Sequence, residues 1–255
     1  MLKKELSPMT TSYELEFFLN DLLQPDRFKD FCPNGLQVEG KREIKKIVSG
    51  VTASQALIDA AIAADADAIF VHHGLFWRGE TRITGWMRKR LGALIEHNIN
   101  LFAYHLPLDA HPLLGNNAQL AYILNLEATG RFGEHDLGCL GISNTGTFGE
   151  LCRQVQAKLG RSITSIGEMN QPIKNVAWCT GGAQGYFEAA IAAGADVYIT
   201  GEISEPQAHY AREMGVGYIA CGHHASERYG APAVAAYAAE HFGLLHEFID
   251  IDNPA

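Results

Sequence analysis

Apolar and polar positions change period several times along the chain, and each change marks an element. Residues 13–23 carry apolar side chains at helical spacing, with Ser12 as candidate N-cap and Glu14 and Glu16 in the first turn. Pro25 closes that segment. Residues 44–51 (IKKIVSGV) read as a strand ending at Gly50. An alanine-rich helix over 54–64 leads to a short buried strand over 68–71. A helix over 88–97 then ends at Asn98, and a strand over 101–104 runs straight into His105. Strands and helices alternating at this length predict an α/β protein with largely parallel pairing.

The pattern then recurs. The stretch AAIAADAD at 60–67 matches AAIAAGAD at 189–196, an offset of 129 residues (189 − 60). Each copy follows an apolar strand and a small polar turn and precedes a second short strand. The register then slips, so that His105-x-x-x-Asp109 falls against His223-x-x-x-Glu227 at an offset of 118 (223 − 105). The eleven-residue difference (129 − 118) is assigned to an extra segment near 78–87 in the first copy. A period this long predicts two related domains rather than a solenoid. The expected division is 1–126, carrying His72, His73 and Asp109, and 127–255, carrying His223 and Glu227.

Composition narrows the function classes. With 47% apolar residues over 255 positions, the chain has ample material for a full core. A formal charge of −9 argues against nucleic-acid binding by bulk electrostatics. No apolar run is long enough to span a bilayer, so no membrane partner is expected. The first twelve residues lack the apolar core of a secretory signal. Five scattered cysteines (Cys32, Cys139, Cys152, Cys179, Cys221), with no Cys-x-x-Cys spacing, read as small buried hydrophobes in a reducing cytoplasm.

The candidate chemistry lies where strands end. In open α/β sheets, ligands bind beyond the carboxyl ends of the strands. His72-His73, His105 and His223 all follow apolar strand segments, and Asp109 and Glu227 stand four residues after a histidine. His72, His73, Asp109, His223 and Glu227 are therefore candidate ligands for two divalent ions, with Asp109 and Glu227 as the bridging carboxylates. Adjacent strand residues point to opposite faces, so His72 and His73 are expected to serve different ions, aimed by the turn through Gly74. His105 is a candidate catalytic residue, as general base, although the roles of ligand and orienter stay open to it. Imidazole and carboxylate donors accommodate zinc, iron, manganese, nickel or cobalt. His224 reads as support for the site, and His97, His135, His209, His241 and His246 as surface or packing residues. The glycine-rich turn at 180–185 (TGGAQG) lacks the Lys-Ser/Thr of a phosphate loop, and there is no serine nucleophile elbow.

Six stretches carry a family resemblance: PNGLQVEG at 33–40, VTAS at 51–54, VHHGLFW at 71–77, YHLPLDAHP at 104–112, GNN at 115–117 and GHHASER at 222–228. In that order they resemble the Nif-three-like family and, within it, the YbgI-like bacterial proteins, often labelled GTP cyclohydrolase 1 type 2 homologs. The resemblance implies a di-metal site of His72, His73, Asp109, His223 and Glu227. It also implies two similar interlocked α/β domains and a toroidal homohexamer built as a trimer of dimers. The implied activity is hydrolytic opening of the GTP imidazole ring, so the expected substrate is a small molecule of nucleotide type. The alternatives are a two-metal phosphoesterase acting on nucleotides or nucleic acid, and a non-catalytic metal-binding ring. Residues 127–174 carry no recognised motif.

Overall fold

The computed structural model describes residues 9–80 and 82–255. It forms two compact α/β units, one of residues 9–108 with 231–251, the other of residues 109–230 with 252–255. This division differs from the one expected at 126/127. The stretch from Asp109 onward belongs to the second unit, and residues 231–251 return to the first.

In chain order, the first unit opens with β1 (Thr10–Thr11), α1 (Ser12–Leu23), β2 (Gly35–Val38), β3 (Glu43–Ile44) and β4 (Lys46–Thr52). It continues with α2 (Gln55–Ala63), β5 (Ala68–His73), α3 (Gly85–Glu96) and β6 (Asn100–Ala103). The one-turn helix α4 (Leu106–Ala110) carries the chain onward. The second unit is built from α5 (Asn116–Ile123), β7 (Leu126–Phe132), β8 (Gly138–Ser143), α6 (Phe148–Leu159), β9 (Thr164–Ile166) and β10 (Asn175–Trp178). Next come α7 (Phe187–Ala192), β11 (Val197–Thr200), α8 (Glu205–Met214), β12 (Gly217–Ala220) and α9 (His223–Glu227). Finally α10 (Gly230–Phe242) and β13 (Leu245–Phe248) rejoin the first unit.

The first sheet has the order β13-β4-β5-β6-β2, the second β7-β8-β10-β11-β12-β9. Each contains a run of parallel strands closed by an antiparallel edge: β13-β4-β5-β6 with β2, and β10-β11-β12 with β9. The registers agree residue for residue. Ile47 pairs with Ala68 in one and Val176 with Val197 in the other, each 129 positions later (47 + 129, 68 + 129). Asp67 makes the reason visible. Its carboxylate accepts the Lys45 and Lys46 amides at 2.7 and 2.9 Å, while Asp196 accepts the Lys174 and Asn175 amides at 2.9 and 2.8 Å. One acid thus ties the start of one strand to the start of the next in both copies, satisfying amides that the ladder leaves over.

The duplication reaches further back than the alanine-rich segment. Thr11 caps α1 and Thr147 caps α6, each in a capping box with a glutamate three residues on, Glu14 and Glu150. Their buried stripes correspond at an offset of 136 (147 − 11): Leu15, Leu19, Leu23 against Leu151, Val155, Leu159. So the stretch without motifs contains the second copy's own first helix and edge strand. Thr11 rather than Ser12 is the cap, because it alone has its hydroxyl on the Glu14 amide. The slip also differs by one residue. Val71–Ala103 corresponds to Thr200–Ala220, so the third strand runs at an offset of 117 (220 − 103), and Gly222 is one residue more before His223.

Each unit has its own core. Val48, Ile58, Ile69, Leu94, Leu101 and Ala103 are sealed in the first, and Leu120, Phe148, Val155, Trp178, Val197 and Ile219 in the second. All five cysteines are buried. Burial pushes the Cys32 and Cys221 thiols up to about 12, so they behave as small apolar side chains.

Candidate metal centre

In the first unit, the ladder between β5 and β6 ends at Val71–Ala103, and beyond it only β4 flanks the strand, at Thr52–His73. There the pleat no longer separates neighbouring side chains. The His72 and His73 ring centroids are 4.4 Å apart, not on opposite faces as strand geometry predicts. His105 follows β6, with its ring centroid 5.1 Å from that of His72. One ligand atom from each of these three histidines lies within 4.8 Å of the other two.

What orients the rings is on the far side of each. His72 is fully buried, and its Nδ1 donates to the Tyr104 carbonyl at 3.1 Å, which leaves the lone pair on Nε2. His73 Nδ1 meets the Thr52 hydroxyl at 3.1 Å. His105 Nδ1 meets Asp30 Oδ1 at 2.7 Å. Metal-ligating histidines are held in this way, by an acceptor on the other ring nitrogen.

Asp30 is a functional candidate that sequence reading missed. Its Oδ1 also accepts the Phe31 amide at 2.6 Å, and its Oδ2 accepts Asn34 Nδ2 at 3.0 Å and the Leu106 amide at 2.9 Å. Burial works to raise this carboxyl, but the bonds from His105, Asn34 and Leu106 outweigh it and hold it down at about 2. The acid stands 75 residues from His105, in no periodic relation to it.

In the second unit, α4 delivers Asp109, with Pro107 in its first turn where no amide is needed. The carboxylate is buried. It accepts Asn116 Nδ2 at 2.9 Å and the Thr180 hydroxyl at 3.2 Å. Glu227 is buried too, at the end of α9, and its Oε2 lies 3.2 Å from His223 Nε2 one turn earlier. His223 Nδ1 donates to Glu202 Oε1 at 2.7 Å. Burial lowers the His223 pKa, but Glu227 and Glu202 outweigh it and push it up to about 9. An imidazole held as a cation between two carboxylates marks a place that demands positive charge. A divalent ion meets that demand by displacing the proton.

The glycine-rich turn now has a local explanation. Gly181 has φ +70°, and a Cβ there would collide with Glu227 Oε1 and press on His223 Nε2. The turn lets backbone approach the donor cluster, rather than cradling a phosphate. Glu202, also missed from the sequence, stands 129 residues after His73 (73 + 129), so the repeat itself points to it.

The other histidines are structural as expected where their contacts are seen. His246 Nε2 meets Ser49 Oγ at 2.8 Å, and His241 stacks on Phe18 with ring centroids 4.5 Å apart. Each unit thus carries a group of donors at its strand ends. The residues fit a transition-metal ion in donor type, in orientation and, in the second unit, in charge. Among the described residues, no helix is long and apolar enough to cross a membrane.

Comparison with known proteins identifies the family. Residues 10–254 match the model of the Duf34/NIF3 (NGG1p interacting factor 3) family. A Neisseria meningitidis protein named GTP cyclohydrolase 1 type 2 homolog is 52% identical over 238 residues, covering 92% of this chain and 96% of the relative. The solved structure of protein ybgI, described as of unknown function, superimposes with a TM-score of 0.92 at 47% identity, covering 96% of this chain and all of that one. TTHA1606 from Thermus thermophilus gives a TM-score of 0.88 at 32% identity, covering 96% of this chain and 100% of that one. With the match running through both units, the chain belongs to the Duf34/NIF3 family.

Proposed function

We propose that this protein is a metal-dependent hydrolase in which His72, His73, Asp109, His223 and Glu227 bind two divalent ions, with GTP ring opening as its reaction. The observation that carries the reading is the anchoring of the imidazoles. The Nδ1 atoms of His72, His73, His105 and His223 each meet an oxygen of the protein. Four imidazoles anchored through Nδ1 and gathered at strand ends are the ordinary arrangement for ligands and proton carriers. The names of the most similar relatives direct the choice of substrate.

Two ions held by these residues would supply Lewis acidity and lower the pKa of a bound water to about 7. The protein's own groups do the rest. Asp109 is held in place by Asn116 and Thr180, and Gly181 leaves the room that the Glu227 carboxylate occupies. His105, with its proton on Nδ1, offers Nε2 to take a proton from the attacking water and return it to the departing nitrogen. Overall, GTP and water give formate and dihydroneopterin triphosphate.

One observation favours a second reading, a two-metal hydrolase with a smaller anionic substrate. A triphosphate needs cationic partners, yet Arg228 donates to the Leu159 carbonyl at 2.7 Å and Arg78 lies over the Phe31 ring. Formate release from GTP, measured with metal content and with zinc, manganese and iron in parallel, decides. Metal-dependent release that disappears in His72→Ala supports the cyclohydrolase. Two ions per chain without formate retire it in favour of the second reading. We also assign the protein to the cytoplasm as a ring-shaped hexamer; a native mass different from six chains contradicts the ring.

A further inference from the structure

We propose that Asp30 is the positioning residue for His105, fixing the imidazole with its proton on Nδ1 and its lone pair on Nε2. The inference rests on the proposed role of His105 as proton carrier.

The geometry of the acid leaves the ring little choice. Both lone-pair sides of Asp30 are saturated: Oδ1 by the Phe31 amide and His105 Nδ1, Oδ2 by the Leu106 amide and Asn34 Nδ2. Asn34 in turn accepts the His105 amide on its Oδ1 at 2.7 Å, so ring and backbone of the same residue are held from one loop. The Asp30 side chain is 2% exposed, so water does not compete for it.

A structural reading makes Asp30 only a cap for α4, through the Leu106 amide. The duplication argues against it. His105 and His223 follow corresponding strands, and each has a carboxylate on Nδ1 at 2.7 Å. Those carboxylates come from unrelated places. At the offset of 136 that relates the two capped helices, Asp30 falls on Ile166 (30 + 136), and the residue 129 before Glu202 is His73 (202 − 129). Shared ancestry of the fold does not explain two acids recruited separately onto equivalent histidines. A common requirement on the rings does.

The test is Asp30→Asn, which preserves shape. Three of the four groups around the carboxylate are fixed donors, and only the His105 ring can turn acceptor by moving its proton. The new amide NH2 therefore faces Nδ1 and drives the proton to Nε2. Long-range proton–nitrogen NMR of the zinc-loaded protein, labelled with 15N-histidine and assigned with His105→Gln, reads the tautomer without any substrate. We expect Nδ1–H in the wild type and Nε2–H in Asp30→Asn, at unchanged zinc content. Formate release from GTP should fall about 100-fold or more in kcat with KM little changed. The same tautomer in both proteins, or an unchanged kcat where the wild type is active, overturns the inference. A wild type that releases no formate retires the proposed reaction alone, because the tautomer comparison still decides on Asp30.

Discussion

The two units are built on one frame and carry different chemistry. Strand registers, the connecting aspartates and the capping boxes repeat. At the strand ends the repetition stops. The first unit supplies three imidazoles, the second two buried carboxylates and one imidazole with its own acid. Where the first copy has Thr52 as partner of His73, the second has Gly181 beneath Glu227 (52 + 129). Backbone hydrogen bonds constrain the frame, because every buried amide and carbonyl needs a partner in both copies. Strand ends lie beyond the ladder, so their residues are free of that requirement and can diverge.

The comparison is most severely broken at the carboxylates. Asp109→Ala or Glu227→Ala should cost at least one ion per chain and lower turnover by about 100-fold or more, with the fold retained. Elemental analysis alongside circular dichroism checks this. Both ions retained in either variant contradicts the bridging roles.

Gly181→Ala tests whether the second copy needed a glycine where the first has threonine. The methyl group meets Glu227, and the positive φ strains any L-residue. We expect weaker metal binding and a loss of about 1–3 kcal/mol in stability by chemical denaturation. Thr52→Gly creates no such clash but removes the hydroxyl that holds His73 Nδ1, so it should weaken metal affinity by about 10-fold through a loosened ring.

The shared frame is tested at Asp67. Asp67→Asn keeps the shape, and its carbonyl can still accept the Lys45 and Lys46 amides that meet Oδ2, but it loses the charge and turns its NH2 to the Lys41 ammonium, costing about 1–3 kcal/mol near neutral pH. Burial raises the Asp67 carboxyl, but Lys41 and the two backbone amides outweigh it, so its folded pKa is lowered. A depressed carboxyl contributes stability above its unfolded pKa of about 3.9 and loses it as pH falls through the folded value. The stability gap between wild type and variant should therefore narrow in acid below about pH 4. A gap constant down to pH 2 removes the charge from the explanation.

The smallest effects belong to the helix ends. Asn98, with φ +53°, and Gly215, with φ +65°, occupy corresponding left-handed positions (98 + 117). Gly215→Ala meets nothing within 4 Å, so its cost, about 1 kcal/mol, is backbone strain alone. Asn98→Gly should change the melting temperature only slightly, since asparagine tolerates that region.

Much of this is legible in the amino-acid sequence. The alternating elements, the parallel α/β class and the offset of 129 follow from periodicity, which burial imposes on sequence directly. His72, His73, Asp109, His223 and Glu227 all lie at strand or helix ends as expected, because strand ends can be read from where apolar runs stop. The helix over Gly85–Glu96 begins three residues before the expected 88, and its first turn adds Met87 to the buried stripe of Leu91 and Leu94.

What tertiary structure alone decided is of another kind. Asp30 meets His105 across 75 residues, and the second copy's capped helix sits in a stretch without motifs. The domain boundary falls at 108/109 rather than 126/127, with a later segment returned to the first unit. Sequence spacing encodes what neighbours along a helix or strand do together. Which distant loop closes on a given ring, and which unit a segment joins, depends on packing in three dimensions and leaves no period in the chain.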